Sequence, residues 1–94
     1  MTFTGRIKQL REQRQLPQRK VAEALDIDSA TYCKIERGER KAKRKQLFII
    51  AELLKADKEE LLSLWLADQV VDVVADEKKL SNKVLDIAKK RINR

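Results

Sequence analysis

Apolar side chains recur at helical spacing along most of this chain, with polar and charged residues between them. Phe3, Ile7 and Leu10 predict a first helix from about Phe3 to Gln13, with Thr2 as its N-cap and Gly5 slightly weakening its start. Pro17 suits the first turn of a second helix, where its missing N–H is unpaired anyway, and this helix runs to about Leu25. A third helix is predicted to start after Asp28, whose carboxylate caps its positive end, and to finish at Gly38. Leu47, Ile50, Ala51 and Leu54 mark a fourth. Asp57 with Glu60 three residues on resembles a capping box and opens a fifth, with Leu61, Leu62, Leu64, Trp65 and Leu66.

Beyond Ala67 two patterns compete. The run Val70 to Val74 is β-branched and suits a strand by propensity. However, Leu66, Val70, Val73 and Val74 share one helical face and no partner strand exists, so continued helix is expected. Leu80, Val84, Ile87 and Arg91 form a further stripe alongside Leu85, Ala88 and Ile92, predicting a last helix from about Glu77 to Ile92. The expected fold is all-α: a five-helix domain over residues 1–67 and a C-terminal helical extension over 68–94. Two Gly and one Pro in 94 residues agree, because sheets with tight turns need more of both. No apolar run approaches the roughly 18 residues of a membrane span, and no signal-peptide pattern opens the chain. A single Cys permits no internal disulfide and fits a reducing compartment, so a cytoplasmic location is expected.

Charge adds a partner to this picture. Residues 1–45 hold 13 Lys/Arg against 6 Asp/Glu, whereas residues 46–94 hold 9 of each. The whole net charge of +7 therefore sits on the first half, as a polyanion-binding surface would require. That half also contains Gln18 to Arg37, which reads as two short helices joined by a tight turn. Val21, Leu25, Ile27, Tyr32 and Ile35 face inward there, and Ala22 lets the second helix approach closely. This pattern is a helix-turn-helix, which lays its second helix in the DNA major groove.

The order and spacing of these helices resemble the Cro and phage-repressor (XRE-like) family of transcription regulators, over roughly the first two-thirds of the chain. The resemblance implies that Gln18 opens the second helix and hydrogen-bonds a DNA phosphate. It implies that Ile35-Glu36-Arg37-Gly38 ends the recognition helix. It also implies a buried ion pair between Arg11 and Glu36, which then hold the fold and do not read DNA. Asp26 stands where the family often has Gly, and Pro17 replaces the usual Ser/Thr cap; both departures point to modest local stability.

Matched to the family, the base-reading positions are Asp28, Ser29, Ala30 and Lys34. Lys34 can donate to guanine O6 and N7, Ala30 can touch a thymine methyl, and Ser29 can bond base edges or phosphate. Asp28 can accept from cytosine N4, although capping is its more natural task. Short side chains leave much of the specificity to DNA shape. Phosphate contacts are assigned to Gln18, Arg19, Thr31, Arg37, Arg40, Lys43 and Arg44, mostly in or beside the basic run from Glu39 to Lys45.

Proteins of this kind bind as two-fold dimers that place two recognition helices about 34 Å apart. The stripe Leu61, Trp65, Val70, Val74, Leu80, Val84 and Ile87 is the expected dimer interface, since it is too long to leave in water; the alternative for part of it is that the last helix folds back on its own subunit. The chain has no His, no Gly-rich phosphate loop and no second Cys, so neither a metal, a cofactor nor an enzymatic activity is expected. Cys33, without a resolving partner, is read as a small inert residue. The expected function is a DNA-binding transcriptional regulator on a palindromic operator, similar in size to antitoxin-type autoregulators and restriction–modification controllers. The alternative is an adaptor that docks a protein partner through its C-terminal stripe, with DNA secondary.

Overall fold

The computed structural model describes residues Met1–Arg94 and is entirely helical. Its elements are α1 (Phe3–Gln13), α2 (Gln18–Leu25), α3 (Ser29–Glu36), α4 (Arg44–Leu53), α5 (Lys58–Val74) and α6 (Ser81–Ile92). The β-branched run from Val70 is helical, because it continues α5 and has no strand to pair with.

Local side chains start the helices. Thr2 accepts from the Gly5 N–H at 3.0 Å and caps α1. Asp28 caps α3, and Asp57 accepts from the Glu59 N–H at 2.9 Å at the head of α5. The predicted capping box at Asp57 is corrected here. Glu60 turns instead to Arg6, 2.6 Å away, and ties α5 to α1. Gln46 makes the reciprocal half of such a box at α4, accepting from the Lys43 N–H at 2.9 Å. Pro17 occupies the N-cap position of α2, one residue before the first helical turn.

The helices stop by a shared device. Gln15, Asp26, Lys55 and Gly38 each adopt a left-handed conformation just past a helix end. After each, the next N–H bonds back across the last turn: Leu16 to the Arg11 carbonyl, Ile27 to Ala22, Glu39 to Lys34 and Ala56 to Ala51. This is the Schellman arrangement. In three of the four, the apolar residue after the left-handed one (Leu16, Ile27, Ala56) packs on the core. Only Gly38 adopts this backbone without steric cost; the other three trade about 1–2 kcal/mol each for a sharp turn.

α4 lies at the centre, with Leu47, Ile50, Ala51 and Leu54 all fully buried against Ile7, Val21, Tyr32, Ile35 and Leu61. Arg14 donates to the Leu54 carbonyl at 2.7 Å and joins the end of α1 to the end of α4. α5 closes the body. The Phe3 N–H donates to Asp68 at 3.0 Å, and the Trp65 indole N–H donates to the Ala42 carbonyl at 2.9 Å. Lys41 reaches Gln69 at 2.6 Å and lies over the Trp65 ring.

The division drawn at residues 67/68 falls inside this continuous helix, and Asp68 and Gln69 still bind the body. The chain leaves α5 only at Ala75, and α6 starts at Ser81, four residues later than its stripe suggested. No residue of α6 is buried. The radius of gyration is 15.2 Å, against about 12 Å for a compact chain of this length. The excess reflects the projecting end of α5 and α6.

Candidate nucleic-acid interface

The turn between α2 and α3 sets the recognition helix. Asp26, at φ 56°, ends α2, Ile27 packs on the core, and Asp28 begins α3 directly after it. Tyr32, Ile35 and Glu36 point inward from α3 and are buried. Ser29, Ala30 and Lys34 are exposed on its outer face, with Thr31 and Cys33 half-buried at its edges. This division follows from helical periodicity: three inward positions at i, i+3 and i+4 leave the intervening ones outward.

Asp28 accepts from the Thr31 N–H at 2.6 Å. That bond, helped by nearby Lys34 and Arg40, holds its carboxyl below the usual range. Its carboxylate is thus engaged in capping, and Ser29, Ala30 and Lys34 make up the rest of the outer face.

The inner face of α3 is anchored by charge. Arg11 donates to both carboxylate oxygens of Glu36, at 2.7 and 2.9 Å, and to the Leu16 carbonyl at 2.8 Å. The Glu36 side chain is only 2% exposed. Burial pushes its carboxyl up, but the Arg11 guanidinium more than offsets this and holds it below the ordinary value. The same contact keeps Arg11 charged. The Tyr32 hydroxyl is buried beside this pair without a hydrogen-bond partner, and burial raises its pKa.

Gln18 has partners inside the subunit. Its amide oxygen accepts from the Cys33 thiol at 2.8 Å and its amide nitrogen donates to Glu36 at 3.3 Å. Through these bonds the side chain, half-buried, bridges α2 and α3. The same bond gives Cys33 a structural task.

The remaining phosphate candidates are spread around α3. Arg19, Arg37, Arg40, Lys43 and Arg44 are exposed, and Thr31 is half-buried. Arg37 pairs with Glu39 at the surface. The basic run is not all loop: Lys43 caps α4, and Arg44 and Lys45 lie in its first turn. The Arg40 N–H donates to the Lys34 carbonyl at 3.3 Å, which folds the loop back toward α3. Lys45 is an exposed cation of the same run that the family pattern passed over; its adjacency to Arg44 was the available signal.

The predicted dimer stripe divides in two. Leu61 is fully buried in its own subunit's core, Val74 is covered by its own chain, and Trp65 is committed to the Ala42 carbonyl and Lys41. Leu61 and Trp65 lie on the face that α5 packs on the body, whereas Val74 is covered outside that core. Val70, Leu80, Val84 and Ile87 are exposed, at 40–50%.

Residues 2–64 match the sequence model of a helix-turn-helix domain family. The match covers well over half of the chain, and the chain belongs to that family, whose fold places it among DNA-binding regulators. No curated protein and no solved structure gave a match to the chain. No helix is long and apolar enough to cross a membrane.

Proposed function

We propose that this protein is a sequence-specific, cytoplasmic transcriptional regulator that binds a palindromic operator as a homodimer and acts by occupying it. The observation that supports this most directly is the division of α3: a buried ion-paired inner face, and an outer face of Ser29, Ala30 and Lys34 ringed by exposed cations. In this reading Lys34 donates to guanine, Ala30 contacts a thymine methyl, and Ser29 bonds a base edge or phosphate. Arg19, Thr31, Arg37, Arg40, Lys43 and Arg44 hold phosphates and supply salt-dependent affinity. A phosphate held by Arg44 is also attracted by the positive end of α4, in whose first turn Arg44 lies.

Selection of bound sites from random duplex DNA at two salt concentrations tests this. A two-fold symmetric consensus is expected, with affinity falling steeply as salt rises; absence of any enriched site removes sequence-specific reading. Within the selected site, Lys34→Ala is expected to relax discrimination at one base position by about 1–3 kcal/mol. Arg44→Ala is expected to weaken all sequences alike and to flatten the salt dependence. Equal loss on every sequence for Lys34→Ala would take it out of the base-reading set.

A further inference from the structure

Charge in the second half of the chain cancels only in the sum. From Glu59 to Glu77 there are six Asp/Glu and no Lys/Arg, and from Lys78 to Arg94 there are seven Lys/Arg and one Asp. Net charges of −6 and +6 thus lie side by side in sequence. The acidic block is α5 with the turn that follows it, and the basic block is α6 with its approach. No ion pair joins them within the subunit: the four pairs present involve Arg6, Arg11, Lys20 and Arg37 as the cations.

Each block also carries apolar side chains with no partner. Leu66, Val70 and Val73 follow one face of α5 and are 43%, 48% and 80% exposed. Leu80, Val84 and Ile87 follow one face of α6 and its approach and are 50%, 40% and 48% exposed. On α6, Lys83 and Lys90 are seven residues apart and line one edge of that apolar face, and Arg94 follows just past the helix end. Asp72 near the end of α5, and Asp76 and Glu77 in the turn after it, are exposed.

Building on the homodimer part of the reading above, on which this rests, we infer that the dimer forms by reciprocal exchange. α6 of one copy lies on the exposed half of α5 of the other, apolar stripe against apolar stripe. Lys83, Lys90 and Arg94 then face Asp72, Asp76 and Glu77 across the interface, twice, related by the two-fold axis. The charges select this arrangement over others. Pairing α6 with α6 would oppose two blocks of +6, and pairing α5 with α5 two blocks of −6. DNA phosphates would be repelled by the acidic block and would leave the apolar stripes in water.

Two full-length variants test the exchange: K83E/K90E/R94E, and D72K/D76K/E77K. All six positions are exposed, so each variant keeps the body's core. Sedimentation without DNA should find a wild-type dimer that weakens at least about tenfold between roughly 0.05 and 0.5 M salt. Each variant alone should have its dimer dissociation constant raised at least about tenfold, and an equimolar mixture of the two should form a heterodimer. Either variant dimerising alone as tightly as wild type overturns the exchange, as does a mixture that remains monomeric. So does a K83E/K90E/R94E protein that keeps its dimer but loses DNA affinity, since α6 would then belong on phosphate. A wild-type monomer at every concentration overturns the homodimer itself, whereas a wild-type dimer with unaffected variants overturns only the exchange. The DNA reading is scored separately, by site selection.

Discussion

Fourteen apolar side chains are buried in this protein, and thirteen of them lie between Phe3 and Leu61. Ten large apolar side chains are exposed, and nine of those lie between Leu66 and Ile92. Both regions are helical and both are amphipathic, yet one has solved its burial problem within the chain and the other has not. The difference is topological. In the body, four turns of Schellman type fold successive helices back onto one another, so every apolar stripe meets a neighbour. After Lys55 there is no such turn: α5 runs 17 residues straight past the body, and α6 leaves its end without returning to the core. A helix stripe can be written into a sequence without the partner that covers it.

The ion pair at the heart of the body should give the largest effect. Arg11→Ala or Glu36→Ala leaves a buried charge unpaired and is expected to cost about 3–5 kcal/mol, measured by urea unfolding at neutral pH. A cost under about 1 kcal/mol would mean that the pair is solvated in solution. Leu47→Ala, deep in the same core, should cost about 2–5 kcal/mol, whereas Ile87→Ala on α6 should leave monomer stability within about 0.5 kcal/mol. Similar costs at the two sites would show that α6 packs on its own subunit.

Acid should separate the regions as well. Glu36 has a folded-state pKa below its ordinary 4.5. Its contribution to stability is therefore complete above that value and is lost as pH falls through the lower folded-state value. Thermal melts from pH 6 to 3, where carboxylates titrate at about 4, should show this loss in wild type. Glu36→Gln, already destabilised, should show a flatter dependence.

The smallest effect concerns the turns. Lys55 sits at φ 52° and is exposed. Lys55→Gly should relieve the left-handed strain of about 1–2 kcal/mol, partly offset by added freedom in the unfolded chain. A net gain of about 0.5–1 kcal/mol is expected by thermal unfolding. A loss would indicate that the Lys55 side chain has a task of its own.

Much of the body was legible in the residues. The apolar spacing placed six helices, Thr2, Asp28 and Asp57 marked three starts, and Gly38 marked one stop, because caps and periodicity are local properties. Asp26 announced its left-handed turn through its place in the helix-turn-helix pattern. Gln15 and Lys55, which adopt the same conformation, gave no such sign, since neither residue type favours it. The outward position of Ser29, Ala30 and Lys34 likewise followed from helical period alone.

Side-chain partners were a different matter. Gln18 is spent on Cys33 and Glu36, Glu60 on Arg6, and Trp65 on the Ala42 carbonyl. Each of these contacts joins residues at least 15 positions apart, and no local pattern predicts which long polar side chain meets which. The apolar stripe from Leu61 to Ile87 was written in the sequence, but its division was not. Leu61 became covered and Val70 remained open because of where α5 crosses the body, while Val74 is covered outside that core and Val84 stays exposed on α6. The chain's own order of residues thus determined which segments are helical, where most of them stop and which face of α3 points outward. Tertiary packing alone decided which apolar and charged side chains are satisfied within one copy and which are left for a partner, because burial depends on what lies opposite in space.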